Sequence, residues 1–309
     1  MTILAAVSEL APPSLPRARH PRVLAVASNK GGVGKTTVAT NLAIYLRAVR
    51  EDLPVLLIGL DDQGTLDRMF ALRPPAPGDG NLKHAWAERT FDRVIQLGQY
   101  GVHFVPSPPD LASLKARADD PTILRRMLER TSWDGLVLLD TKSDLEALTL
   151  NALHAAERII LPVADWASLE EAGKLYAILE RAERAARARV LLTLVDARTR
   201  SDDPTQDLRT VLESEITRRG WPRFATTLSR SPRVEALNSA HGRPLSILHH
   251  AQGTVVHRQF RALAEEVLVD LGLGGAGARR EEPAATLSLD SAAQLGSWKR
   301  ALLRGLRGG

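Results

Sequence analysis

The sequence predicts an α/β protein built on a doubly wound, mostly parallel sheet. Two observations carry that expectation. Short, β-branched apolar runs alternate along the chain with segments of helical spacing, and the first run leads straight into the glycine-rich stretch GGVGKTT.

The first run, RVLAVAS (22–28), reads as a buried strand, and TTVATNLAIYLRAVR after it has apolar positions at helical spacing. PVLLIGL (54–60) is a second strand, followed by a Pro/Gly loop at 72–81. GVHFVPS (101–107) and GLVLLD (135–140) are further strands, with the helix DDPTILRRMLERTS between them. RIILPVA (158–164), RVLLTLVD (189–196) and RFATTLS (223–229) complete the set. The segment SLEEAGKLYAILERAERAAR opens on a serine and two glutamates, which suits a helix N-terminus. The expected organisation is a flexible Pro/Arg-rich arm at 1–20, one large domain at 21–272, a linker at 273–286 and a basic tail at 287–309.

Composition narrows the chemistry. The 309 residues can bury a sizeable core, and they include no cysteine. That excludes disulfides, thiolate metal sites, iron–sulfur clusters and cysteine nucleophiles, and it fits a reducing cytoplasm. No apolar run approaches the roughly 18 residues of a membrane span, and the first residues have no basic region ahead of an apolar stretch, so no signal peptide is expected.

GGVGKTT sits between a strand and a helix, where a phosphate loop belongs. Gly31, Gly32, Val33 and Gly34 would let backbone N–H groups cradle phosphate oxygens at the helix N-terminus, with Thr37 completing the turn. Lys35 would reach the β- and γ-phosphates, and the Thr36 hydroxyl would ligate Mg²⁺. Asp140, ending one strand, is placed to hold that ion through water. Asp61 and Asp62 follow another strand. An acidic residue there is often a turn residue or helix cap, but three strand-end positions together favour a site. The expected ligands are ATP and Mg²⁺.

These residues resemble a known family. KGGVGKTT is similar to the deviant Walker A motif of the ParA/MinD ATPases, and LLIGLDDQGTL resembles ParA's L-I-D-x-D-P-Q-G-x. VPSPPDLASLK, the stretch WDGLVLLDTKSDLEALTLNALHAAERIILPV, LVDART and VEALNSAHGRPL are similar to later family blocks, in collinear order over about residues 21–271. The resemblance implies a P-loop NTPase fold of the deviant Walker A type and slow ATP hydrolysis, stimulated by a partner or DNA. It also implies a homodimer sandwiching ATP, in which Lys30 crosses to the partner subunit's nucleotide. An ammonium opposite the γ-phosphate stabilises developing charge as an arginine finger does, so Lys30, Lys35 and Asp61 form the expected catalytic set. Asp61 would orient the attacking water, and Thr36, Asp61 and Asp140 would make up the metal shell.

Relatives that need cysteines or a tyrosine-rich tail drop out, since cysteine is absent and only Tyr45, Tyr100 and Tyr176 occur. The chain also departs from the family. Gly59 stands where the first aspartate of D-x-D belongs, Asp62 replaces a proline, Lys142–Ser143 replace a Pro pair, and Ser229 replaces a proline near the expected adenine site. These changes bear on hydrolysis and adenine contacts more than on phosphate binding. They leave open an ATP-gated interaction protein with little hydrolysis.

Two features suggest what an ATP switch would act on. From 181 to 261 there are fifteen Arg, no Lys and eight Asp or Glu. Arg218, Arg219, Arg223, Arg230, Arg233 and Arg243 are candidate contacts to DNA phosphates, read without sequence preference. The resemblance adds a ParB-like or other adaptor, a plasmid, chromosome or protein-assembly cargo, and a cytoplasmic place on the nucleoid. In the tail, Leu295, Trp298, Leu302 and Leu306 form one helical stripe beside Lys299, Arg300, Arg304 and Arg307. That pattern suits an anionic membrane surface, as in a MinD-like membrane-cycling regulator, or docking on protein. Gly296 and Gly305 weaken a free helix there.

Overall fold

The structure, a computed structural model, describes residues 21–61, 63–76, 78–196, 207–239 and 243–274. The expectations for the arm at 1–20, for Asp62, and for the tail residues Leu295, Trp298, Lys299, Arg300, Leu302, Arg304 and Leu306 lie outside the described residues.

Eight strands form a single sheet: β1 (Arg22–Val26), β2 (Val55–Leu60), β3 (Gln96–Leu97), β4 (His103–Val105), β5 (Leu136–Thr141), β6 (Arg158–Val163), β7 (Ala188–Val195) and β8 (Arg223–Ser229). Their order is β3-β4-β2-β5-β1-β6-β7-β8, parallel throughout except for β3 against β4. The connecting helices are α1 (Lys35–Val49), α2 (Thr65–Phe70), α3 (Leu82–Glu88), α4 (Ala112–Lys115), α5 (Ile123–Arg130), α6 (Ala147–Ala155), α7 (Trp166–Arg181), α8 (Leu208–Arg218), α9 (Pro232–Ser239), α10 (Ile247–His250) and α11 (Val255–Asp270).

Strand side chains alternate between two cores, because successive residues of a strand point to opposite faces. Val23 and Ala25 of β1 join Ile58, Val137, Leu139 and Leu161 in one core, which α3 to α8 cover. Leu24 and Val26 join Leu57, Leu138, Ile160 and Leu191 in the other, packed against α1 and α11. A sheet buried on both faces explains the nearly continuous apolar strands of the sequence. All seven strands expected from sequence are present. The antiparallel edge strand β3 is new; its two residues carry no alternation long enough to read.

Several boundaries move, two of them with a clear cause. Helix α7 starts at Trp166 rather than Ser168, because Asp165 caps it: the Asp165 side chain accepts from Ser168 N, and Ser168 Oγ reaches back to the Asp165 backbone. Leu273, expected to open a linker, packs against the second core and donates its N–H to Leu268 O at 2.8 Å.

The order places β1 centrally, with β5 and β2 on one side and β6 and β7 on the other. In such sheets the crevice beyond the strands' carboxyl ends, at the point where the winding reverses, is where ligands bind. The loop leaving β1 lies there.

Candidate nucleotide site

The loop from β1 to α1 holds two glycines in the left-handed region, Gly32 at φ 77° and Gly34 at φ 87°. A side chain at either would be strained by the backbone, and a Cβ built there meets nothing within 4 Å. The loop is therefore unobstructed at those two positions. No side chain caps the first turn of α1 and no acidic residue occupies it, so its N–H groups are left uncapped. Val33 is buried, and its carbonyl accepts from Thr193 Oγ1 at 2.9 Å, which ties the loop to β7.

Lys35 is 7% exposed, and its Nζ donates to Lys30 O at 3.1 Å and to Ser143 Oγ. Burial pulls its pKa down, against the opposing charges of Asp140, Asp61 and Asp144. Asp140 is fully buried on β5. Neither of its oxygens has a hydrogen-bond partner of standard geometry, although the Thr36 hydroxyl lies close enough to favour the charged form. Burial raises the Asp140 carboxyl to about 7, helped by the charge on Asp61 and opposed by Thr36 and Lys35.

A cavity of about 10 Å³ brings together Thr36, Asp61 and Asp140, with Gly59, Gln63 and Ser107 also in its wall. Thus the three expected metal residues converge from α1, the end of β2 and β5. Asp61 Oδ1 accepts from Gln63 N at 3.2 Å. The convergence fits a hydrated divalent cation: oxygen donors only, one of them an orphaned buried carboxylate that a cation would satisfy. Gly59 also has its explanation here. A Cβ on it would lie 3.0 Å from Leu66 Cδ2, so Leu66 fills the place a longer side chain would need.

A second cavity, of about 60 Å³, adjoins the loop at Gly34, Thr37 and Val38. Leu194, Leu228, Val234 and Phe260 give it an apolar lining, as a purine base needs, and Ser229, Glu235 and Asn238 add polar groups. Asn238 Nδ2 donates to Thr37 Oγ1 at 3.1 Å, so α9 is joined directly to the phosphate loop.

Lys30 stands apart from this interior. Its side chain is about one-third exposed, and its Nζ meets both oxygens of Asp165, at 2.9 and 2.7 Å. Asn29 alongside it binds Glu171. The residues just before the glycines are thus fastened to α7. Sequence reading did not single out Asp165; its visible signal was the Asp-x-x-Ser spacing of a capping box.

The arginine candidates divide by what they touch. Arg219 is stacked over Trp221 at 4.9 Å and paired with Glu215 and Glu170, so its charge is spent inside the protein. Arg218 also pairs with Glu215 but is 72% exposed. Arg223 lies 3.6 Å from Glu213. Arg230, Arg233 and Arg243 are exposed and have no carboxylate partner among the described residues; Arg233 donates to His250 O and Arg243 to Ala71 O.

A family model described as an AAA domain matches residues 21–191. The chromosome-partitioning ATPase Soj of Thermus thermophilus is 35% identical over 254 residues, covering 80% of this chain and 95% of that protein. The chain belongs to the ParA/MinD family of ATPases. The chromosome partitioning protein ParA of Caulobacter vibrioides is 30% identical over 203 residues, covering 61% of this chain and 75% of its own. The septum site-determining protein MinD of Pyrococcus horikoshii, solved with Mg-ADP, shares the fold with a TM-score of 0.64 at 19% identity. It covers 82% of this chain and 99% of that one. The fold of the chain is that of the ParA/MinD family.

Proposed function

We propose that the chain is a ParA-like ATPase that binds Mg-ATP, closes into a nucleotide-sandwich dimer and binds DNA without sequence preference. Through a ParB-like or other adaptor it positions a cargo, and hydrolysis releases it. One observation carries this reading. Two lysines of a single loop have opposite surroundings: Lys35 is buried inside the glycine cradle, and Lys30 stands at its rim on an exposed carboxylate. A nucleotide binder needs the first; a nucleotide-gated dimer needs both.

Bound Mg-ATP supplies a phosphoanhydride bond, cleaved by water, and with it a charge difference between the bound triphosphate and diphosphate. The residues divide the remaining work. The loop N–H groups and Lys35 hold the phosphates, and Thr36 and Asp140 hold the metal shell. Asp61, on the solvent side of Asp140, orients water. Lys30 leaves Asp165 and reaches toward the second subunit. Exposed Arg230, Arg233, Arg243 and Arg218 meet DNA phosphates in the cytoplasm, on the nucleoid. Among the described residues no helix is long and apolar enough to cross a membrane.

DNA binding measured with ATP, with ADP and without nucleotide, each with Mg²⁺ at low salt, tests the proposal. Binding with ATP alone, falling steeply as salt rises, supports it. Equal binding under all three conditions overturns the switch.

A further inference from the structure

The loop after β5 carries Lys142 and Ser143 just beyond Thr141. Ser143 Oγ accepts a hydrogen bond from Lys35 Nζ, and it stands 3.9 Å from where a Cβ on Gly31 would lie. These two contacts put a hydroxyl across the mouth of the phosphate loop.

The hydroxyl is held there from both ends. Thr141 Oγ1 donates to Val26 O at 3.0 Å, fastening the start of the loop to the strand that feeds the glycines. Beyond Ser143, Asp144 Oδ1 accepts from Glu146 N at 3.2 Å and from Thr149 Oγ1 at 3.0 Å, and Lys115 binds Glu146. A side chain fixed by its supporting contacts costs little to bring to a ligand.

We propose that Ser143 contacts the terminal phosphate and lets the site distinguish ATP from ADP. The inference rests on the nucleotide reading above. Lys35 is the ammonium that must meet the β- and γ-oxygens, and it is one hydrogen bond from Ser143. When Lys35 turns to phosphate, the Ser143 hydroxyl loses its donor and faces the same oxygens, to which it can donate.

The test is titration of the full-length protein with ATP and with ADP, each with Mg²⁺, for wild type, Ser143→Ala and Ser143→Thr. Ser143→Ala is expected to weaken ATP roughly ten-fold, the loss of one hydrogen bond to a charged group, and to leave ADP within two-fold. Ser143→Thr, which keeps the hydroxyl, restores the ATP preference. Equal weakening of both nucleotides means that Ser143 merely orients Lys35 and overturns the proposal, as does no change for either. If wild type binds neither nucleotide, the nucleotide reading itself fails, and that outcome is plain before any variant is compared. Melting temperatures of the nucleotide-free variants, expected to match wild type, separate a ligand contact from a folding defect.

Discussion

Lys30 and Asp165 are joined through both carboxylate oxygens, and the same carboxylate caps helix α7 by accepting from Ser168 N at 2.8 Å. Lys30, which the proposed dimer would send to its partner, is thus held within its own chain. Burial alone would raise the Asp165 pKa, but the hydrogen bonds from Lys30 and Ser168, together with the lysine's charge, bring it below the ordinary value. The pair's contribution is therefore present above the unfolded pKa and is lost as pH falls through the folded one. With both side chains partly exposed, it contributes about 1 kcal/mol or less to stability. That is a weak hold, one a bound ligand can outcompete.

Asp165→Asn keeps an acceptor for the helix cap and removes the charge that retains Lys30. The variant should dimerise at several-fold lower protein concentration with ATP, measured by analytical ultracentrifugation, and show no change without nucleotide. Lys30→Ala should bind ATP as a monomer and fail to dimerise. Normal ATP-dependent dimerisation of Lys30→Ala would make the lysine a simple loop residue.

Asp140 predicts a pH dependence. Its carboxyl is raised from 3.8 to about 7, chiefly by burial, so between these pH values the folded protein holds a proton that the unfolded chain releases. Stability of the nucleotide-free protein should fall as pH rises between these values and stay low above them. Asp140→Asn removes the penalty. At pH 8 the variant should be more stable than wild type by on the order of 2–4 kcal/mol, with the gap closing toward pH 4. Mg-ATP should raise the melting temperature of wild type far more than that of the variant. A variant less stable than wild type at pH 8 would show that protein groups satisfy the buried carboxylate.

Gly59 predicts a coupled pair. Gly59→Asp would press on Leu66 and set a second carboxylate beside Asp140, its partner in the β2–β5 register. The single substitution should cost roughly 1–3 kcal/mol by chemical denaturation. Leu66→Ala in the same chain should relieve the crowding, so that the double variant is more stable than the sum of the single effects implies. Strict additivity would mean that Leu66 does not govern what position 59 accepts.

Much of this was legible in advance, for identifiable reasons. Seven of the strands could be read because a doubly covered sheet requires continuous apolar runs. The meeting of the loop with Asp61 and Asp140 could be expected because each stands at a strand end, which sequence shows. Asp165 and Asn238 could not. Each acts through a partner far along the chain, Lys30 and Thr37, and no local pattern records that meeting. Ser143 was visible as a departure, but its reach to Lys35 depends on β5 lying beside β1. The arginines show the same limit: a count of fifteen between 181 and 261 does not say which of them a neighbouring glutamate neutralises.

That distinction gives the last prediction. Arg219 has Trp221 beneath it, which itself stacks on Tyr176 at 4.3 Å, and it binds Glu215 and Glu170. Arg219→Ala should therefore lower stability by about 1–2 kcal/mol, through lost stacking on Trp221 and loss of the ion pairs with Glu215 and Glu170, and leave DNA affinity near wild type. Reversal of Arg230 and Arg233 to Glu should do the opposite. Neither has a carboxylate partner among the described residues, so melting should be nearly unchanged. The ATP-dependent affinity for DNA should fall by an order of magnitude or more, with a shallower dependence on salt. If Arg219→Ala weakens DNA binding and the Arg230/Arg233 reversal does not, the DNA-facing surface lies along α8, beside Arg218, rather than at the start of α9.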